Sequence, residues 1–181
     1  MMTRRIVGLG ALGTITAALG LPRLFGRSSA AAEAKTYEVS YTDAEWRQRL
    51  TPEQYRILRT HGTELAGTST LNGEKRKGAY ACAGCDQALF RSETKFESGT
   101  GWPSFFQPID GAIGTSQDNA LFMTRTEVHC ARCGGHLGHV FDDGPQPTGL
   151  RYCMNGGAYC LTEECSRHGW SLPHLHAPGK P

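Results

Sequence analysis

Ala120-Leu121-Phe122-Met123-Thr124-Arg125-Thr126-Glu127-Val128-His129-Cys130-Ala131-Arg132-Cys133-Gly134-Gly135-His136-Leu137-Gly138-His139-Val140-Phe141 is the stretch that decides the fold class. From Ala120 to Cys130 it alternates. Phe122, Thr124, Thr126 and Val128 fall on one side, and Leu121, Met123, Arg125 and Glu127 on the other, which is the period of a β-strand. Cys130-Ala-Arg-Cys133-Gly follows, with two residues between the thiols, so one tight turn can aim both sulfurs at one point. Gly138–Phe141 then offers another strand.

Outward from this stretch, Leu150–Cys153 and Ala158–Thr162 are further strand candidates. The 23 glycines and nine prolines argue for many turns and short elements. Helix signals are confined to the region before Gly62. Residues 35–42 form an extended lead-in. Thr42 or Asp43 caps a short helix with Trp46 and Leu50 on one face. Thr51-Pro52-Glu53-Gln54 starts a second, with Thr as N-cap, Pro at N1 and Gln closing a capping box. Its core face carries Tyr55, Leu58 and Ile57. The expected fold is mainly β, with antiparallel sheets behind two short N-terminal helices.

The chain has 181 residues, enough for one domain, and neither a repeat nor a second-domain linker is found. Nineteen basic and 17 acidic residues give a net charge of +2, which argues against a dedicated nucleic-acid binder or a polybasic membrane module. Residues 1–34 read as an export signal: Arg4-Arg5, a weakly apolar run from Ile6 to Leu21 broken by Pro22, and small residues around Ala30–Ala34. The arginine pair resembles a twin-arginine signal, which implies a periplasmic or otherwise exported protein. Its removal leaves 15 basic and 16 acidic residues, so the positive charge belongs to the signal. The expected domain spans 35–165, and 166–181 is a loosely ordered tail.

Seven cysteines cannot all pair within one chain. Cys82-Ala-Gly-Cys85 and Cys130-Ala-Arg-Cys133 are two C-x-x-C pairs, and together they complete a closed tetrahedral shell of the kind that holds structural Zn²⁺. Four thiolates also suit iron. Redox pairs or structural disulfides are the competing readings, since an exported protein permits both.

Arg151-Tyr152-Cys153-Met154-Asn155-Gly156, Gly99-Thr100-Gly101-Trp102-Pro103-Ser104-Phe105 and His136-Leu137-Gly138-His139-Val140-Phe141-Asp142-Asp143-Gly144-Pro145 complete the pattern. With both C-x-x-C pairs, and with Trp46 to Tyr55 and His61-Gly62-Thr63-Glu64, they resemble methionine sulfoxide reductase of the B type over about residues 41–162. The residues suit that chemistry. A thiol beside Arg151 has its thiolate favoured. A sulfoxide oxygen needs a proton before its sulfur accepts a nucleophile, and histidine supplies one near neutrality. An aromatic wall holds an S-methyl group.

The resemblance implies an open barrel-like arrangement of the sheets and reduction of the R epimer of methionine sulfoxide, free or protein-bound. It makes Cys153 the nucleophile, which becomes a sulfenic acid. It makes His139 the proton donor with His136 beside it, Asn155 a positioning residue, Trp102 the wall of the methyl pocket and Arg151 a substrate-site residue that helps the thiolate. It implies oxidised methionine in proteins and a thiol reductant such as a thioredoxin-like protein as partners of a monomer. Without the motif, Cys153 and Trp102 read as packing, and the two histidines as a metal half-site or as structural residues.

The sequence departs from the family where many members carry a resolving cysteine: Thr100 stands there. Cys160 and Cys165 lie downstream, outside the family pattern. One of them resolves the sulfenic acid, or they pair with each other, or an external thiol acts directly; a Cys160–Cys165 pair or an external reductant is favoured. Two other function classes fit parts of the sequence: a non-catalytic zinc-stapled binding module, and a general thiol-disulfide oxidoreductase using a C-x-x-C pair.

Overall fold

Both N-terminal helices begin as their capping residues dictate. Thr42 caps α1 (Asp43–Arg49) and Thr51 caps α2 (Pro52–Thr60), each closing a capping box with Glu45 or Gln54. Pro52 occupies the first turn of α2, where its missing N–H costs nothing. α2 buries Tyr55, Ile57 and Leu58. It ends at His61, which adopts the left-handed conformation at φ 55°.

These features come from a computed structural model, which describes residues 36–119 and 123–162. The stretch 1–34 expected to be an export signal, Ala120–Phe122 and the segment 163–181 with Cys165 lie outside the described residues. Among the described residues no helix is long and apolar enough to cross a membrane.

Among the described residues nine strands follow the helices: β1 (Ala79–Cys82), β2 (Ala88–Arg91), β3 (Lys95–Phe96), β4 (Ser104–Phe105), β5 (Ile113–Asp118), β6 (Arg125–Cys130), β7 (His136–Phe141), β8 (Arg151–Met154) and β9 (Tyr159–Leu161). They form two antiparallel sheets, ordered β2-β1-β9 and β3-β4-β8-β7-β6-β5, without closing a barrel. The described strand in the alternating run is Arg125–Cys130, shorter than the expected Ala120–Cys130. Alternation in burial also fails there: Glu127 and His129 are buried together with Val128 and Cys130. Both faces of β6 are covered, so its polar side meets imidazoles instead of water.

The two faces of the six-stranded sheet divide the labour. Phe105, Tyr152, Val140, Val128, Met154 and Leu137 belong to the core or pack against it. The aromatic centre of that core stacks Phe90 on Phe105 at 4.4 Å and sets Tyr80 edge-on to Phe105 at 4.9 Å, which joins the two sheets. On the other face, cross-strand register aligns Ser104, Cys153, His139, Glu127 and Ser116 in one row.

A β-bulge completes that row. Val128 pairs with Gly138 and His129 with His136, so Leu137 is the extra residue. The core side then takes both Leu137 and Gly138, and the histidines on either side emerge together. Gly138 is required here: a Cβ would stand 2.2 Å from the Cys153 carbonyl oxygen, and its φ is 155°.

Candidate active site and metal centre

Cys153 lies near the end of β8, between Ser104 of β4 and His139 of β7. It lines a cavity of about 120 Å³ with Thr63, Trp102, Arg125, His139, Phe141 and Asn155 among its neighbours. The structure therefore brings together Cys153, His139, Trp102 and Asn155. His136 and Arg151 do not line this cavity; Arg151 stands beside Cys153 on the same face of β8.

The Cys153 Sγ stands 3.9 Å from Thr100 Oγ1, and Thr100 continues through Ser98 to Ser104 by hydroxyl contacts of 2.8 and 2.7 Å. Burial pushes the Cys153 thiol up, against the Thr100 hydrogen bond and the Arg151 charge, which both pull it down. Neighbouring positive charge and hydrogen bonds lead one to expect a favoured thiolate; the strand position adds desolvation, which outweighs them. Cys153 therefore rests as a thiol. Arg151 is itself engaged, donating from Nε and Nη2 to Asp143 at 2.8 and 2.9 Å, with its guanidinium 4.4 Å above the Phe141 ring.

His139 Nε2 lies 2.8 Å from Asp118 Oδ2, which also accepts from Arg125 at 2.7 Å. A carboxylate only accepts, so Nε2 carries the proton and Nδ1 holds the lone pair. Desolvation depresses the His139 pKa, with Asp118 opposing it and Arg125 and His136 reinforcing it. His136 is buried, and its Nδ1 donates to Glu127 Oε1 at 2.8 Å. His61 Nδ1 reaches the same oxygen at 3.0 Å, and Ser116 hydrogen-bonds to Oε2.

Asn155 ties two loops to the sheet. Its Nδ2 donates to the Leu137 carbonyl at 3.2 Å, and its Oδ1 accepts from the Glu64 N–H at 3.0 Å. The Glu64 carbonyl accepts the Trp102 indole N–H at 3.1 Å, and its carboxylate receives the N–H groups of Gly156 and Gly157. Trp102 is thereby held as a fixed wall. Asp118, Arg125, Glu127, Glu64 and His61 were not singled out from the sequence for this site. Asp118, Arg125 and Glu127 are charged residues in strands, where solvent-facing ones look the same, and His61 and Glu64 carry a signal only as members of the His61-Gly62-Thr63-Glu64 motif.

Four sulfurs meet on the core side of the sheet. Cys82, Cys85, Cys130 and Cys133 are all buried, with their Sγ atoms within 4.8 Å of one another. Cys82–Cys133 and Cys85–Cys130 separations are 3.7 and 3.5 Å. A tetrahedral shell with metal–sulfur bonds of about 2.3 Å sets its sulfurs about 3.8 Å apart, so the residues fit a metal ion. All four are free thiols, which leaves no structural disulfide among them. The turn carbonyls are braced by Arg59 onto Cys133 and Arg132 onto Cys85, at 3.1 and 3.0 Å. The site joins the β1–β2 turn of one sheet to the β6–β7 turn of the other.

Cys160 sits on β9 and lines a different, larger groove of about 670 Å³ with Glu64 and Ser69. It is disulfide-bonded, and its partner lies outside the described residues.

The description "SelR domain" matches residues 50–163, which takes in every residue just placed except α1 and the lead-in. The chain belongs to the SelR domain family. Curated relatives agree. The peptide methionine sulfoxide reductase MsrB of Leptospira interrogans is 55% identical over 129 residues, covering 71% of this chain and 98% of that protein. That of Agrobacterium fabrum is 58% identical over 120 residues, covering 66% and 89%. That of Methanosarcina mazei is 52% identical over 128 residues, covering 70% and 91%. In this SelR domain the two C-x-x-C pairs make the metal centre, and the Cys153 cavity is the candidate active site on the opposite face of the same sheet.

Proposed function

We propose that this protein reduces the R epimer of methionine sulfoxide, protein-bound and free, to methionine, and so repairs oxidised proteins. The observation that carries the reading is the convergence of Cys153, His139 and Trp102 on one small cavity. Trp102 holds the S-methyl group. The Cys153 proton passes to His139 Nδ1, and the thiolate attacks the sulfoxide sulfur while the imidazolium protonates its oxygen. Methionine leaves and Cys153 retains the oxygen as a sulfenic acid. Two equivalents of thiol return it to the thiol, with one disulfide and one water formed. His136, anchored on Glu127, supports His139 from behind.

Regeneration is assigned to an external thiol reductant such as a thioredoxin-like protein. Thr100 cannot form a disulfide, and Cys160 opens onto a different groove while already disulfide-bonded. The four-cysteine site is assigned to Zn²⁺, whose preference for a closed tetrahedral thiolate shell matches its donors. Its role is to staple the sheets. Residues 1–34 are assigned as a cleaved twin-arginine-type signal, which makes the protein periplasmic or otherwise exported, and the mature chain is assigned as a monomer without nucleic-acid partners. Cell fractionation of wild type and an Arg4→Lys, Arg5→Lys variant tests export, and light scattering tests the monomer.

Single-turnover reduction of both epimers of a blocked methionine sulfoxide tests the activity. Wild type should consume the R epimer alone, and Cys153→Ser should consume neither. No turnover by reduced, metal-loaded wild type would instead favour a binding module.

A further inference from the structure

Beside the catalytic cavity, and outside it, three donors from three elements meet at one point: His61 at the end of α2, Glu127 of β6 and His136 of β7. Their ligating atoms all lie within 4.8 Å of one another. His136 Nδ1 and His61 Nδ1 stand 2.8 and 3.0 Å from the same oxygen, Glu127 Oε1, with the two rings 5.0 Å apart. We propose that His61, Glu127 and His136 form a second metal site, for a divalent ion of the zinc type, separate from the four-cysteine centre.

Two imidazoles and one carboxylate make a recurrent donor set for such ions, with a further position left to water. The burial fits that division. The side chains of His136 and Glu127 are 3% and 11% exposed and fix the floor, while that of His61 is 66% exposed and opens the site to solvent. A tetrahedral shell with bonds of about 2.0–2.1 Å spaces its donors about 3.3–3.4 Å apart. The donors need to part by only a few tenths of an ångström to admit the ion. Supporting groups are already in place: Ser116 holds the other carboxylate oxygen, as an outer-shell partner does. His136 and Glu127 sit on adjacent strands, so neither must move far.

Occupation has a consequence for the reaction, and that part alone rests on the function proposed above. The His136 and His139 rings are 5.5 Å apart. A dication on His136 repels a proton on His139, so the ion inhibits reduction.

Co²⁺ added to the full-length Cys153→Ser protein, with the four-cysteine site already filled, reads binding without substrate or a reactive thiol. The expected result is one further Co²⁺ per chain, with ligand-field bands but no added thiolate charge-transfer band. His61→Gly should weaken it at least tenfold, and glycine accepts the left-handed backbone at that position without strain. Ion held by the tail imidazoles His168, His174 and His176 would survive this substitution. Glu127→Gln is the second test and should also weaken binding. Uptake that stops at the four-cysteine site, or a further Co²⁺ unaffected by His61→Gly in a variant with wild-type circular dichroism, overturns the site. In wild type with intact Cys153, added Zn²⁺ should slow single-turnover reduction and His61→Gly should resist it. Equal inhibition of both would overturn the inhibitory role while leaving the activity itself established.

Discussion

His136 and His139 lie three positions apart in one strand, yet their rings project from the same face with centroids 5.5 Å apart. An unbroken strand would send them to opposite faces. The bulge at Leu137–Gly138 reverses that, and it does so beside the nucleophile, where bulges re-aim side chains. Gly138→Ala tests the arrangement. A methyl there meets the Cys153 carbonyl and Met154 Cα. The bulge must reopen, and kcat/KM for the R epimer is expected to fall at least a hundredfold, with loss of about 2–3 kcal/mol in denaturant unfolding.

Asp118→Asn tests proton delivery. Asp118 raises the His139 pKa against desolvation, Arg125 and His136. Removing its charge lowers the pKa further, so His139 Nδ1 takes and holds the Cys153 proton less readily. Single-turnover rates should drop about tenfold at pH 7, and the rising limb of the pH profile should move to lower pH. An unchanged profile would remove His139 from the proton path.

Glu127 makes stability depend on pH in two directions. Hydrogen bonds from His136 and then His61 hold its carboxyl well below the usual range. Its contribution is complete above the ionisation of an unfolded glutamate, about pH 4.3, and is lost as pH falls toward the folded value. His61 is raised by the same contact. Its share is complete below about pH 6.5 and is lost as pH rises through the folded value. Wild type should therefore exceed Glu127→Gln most between about pH 4.5 and 6.5, by about 2 kcal/mol. Urea titrations across pH 3.5–8 would show it.

What could be read from the chain follows from the range of each interaction. Thr51-Pro52-Glu53-Gln54 states its own helix start, because capping is settled within four residues. The C-x-x-C turns state their geometry for the same reason, although only the fold shows that all four sulfurs meet. Glu127 could not be placed. Alternation puts it on a polar face, and nothing local reveals that His61, far earlier in the chain, caps that face. The Asp118–His139 and Asp143–Arg151 pairs depend on strand register, which single-sequence periodicity leaves open. Motif resemblance reached Cys153, Trp102 and Asn155, but not the burial that raises the thiol.

Thr100→Cys addresses the departure from the family pattern most directly. Thr100 Oγ1 lies 3.9 Å from Cys153 Sγ, so a sulfur on the same rotamer needs only a local shift to reach bonding distance. In wild type, one turnover without reductant should leave a sulfenic acid at Cys153 that dimedone labels, with one thiol lost. In Thr100→Cys the new thiol should attack that sulfenic acid and release water. Two thiols are then lost, dimedone labelling disappears, and mass spectrometry finds the introduced sulfur linked to Cys153. Retained dimedone labelling in a folded Thr100→Cys protein would mean that the loop moves away on turnover and that only an external thiol reaches the Cys153 sulfenic acid.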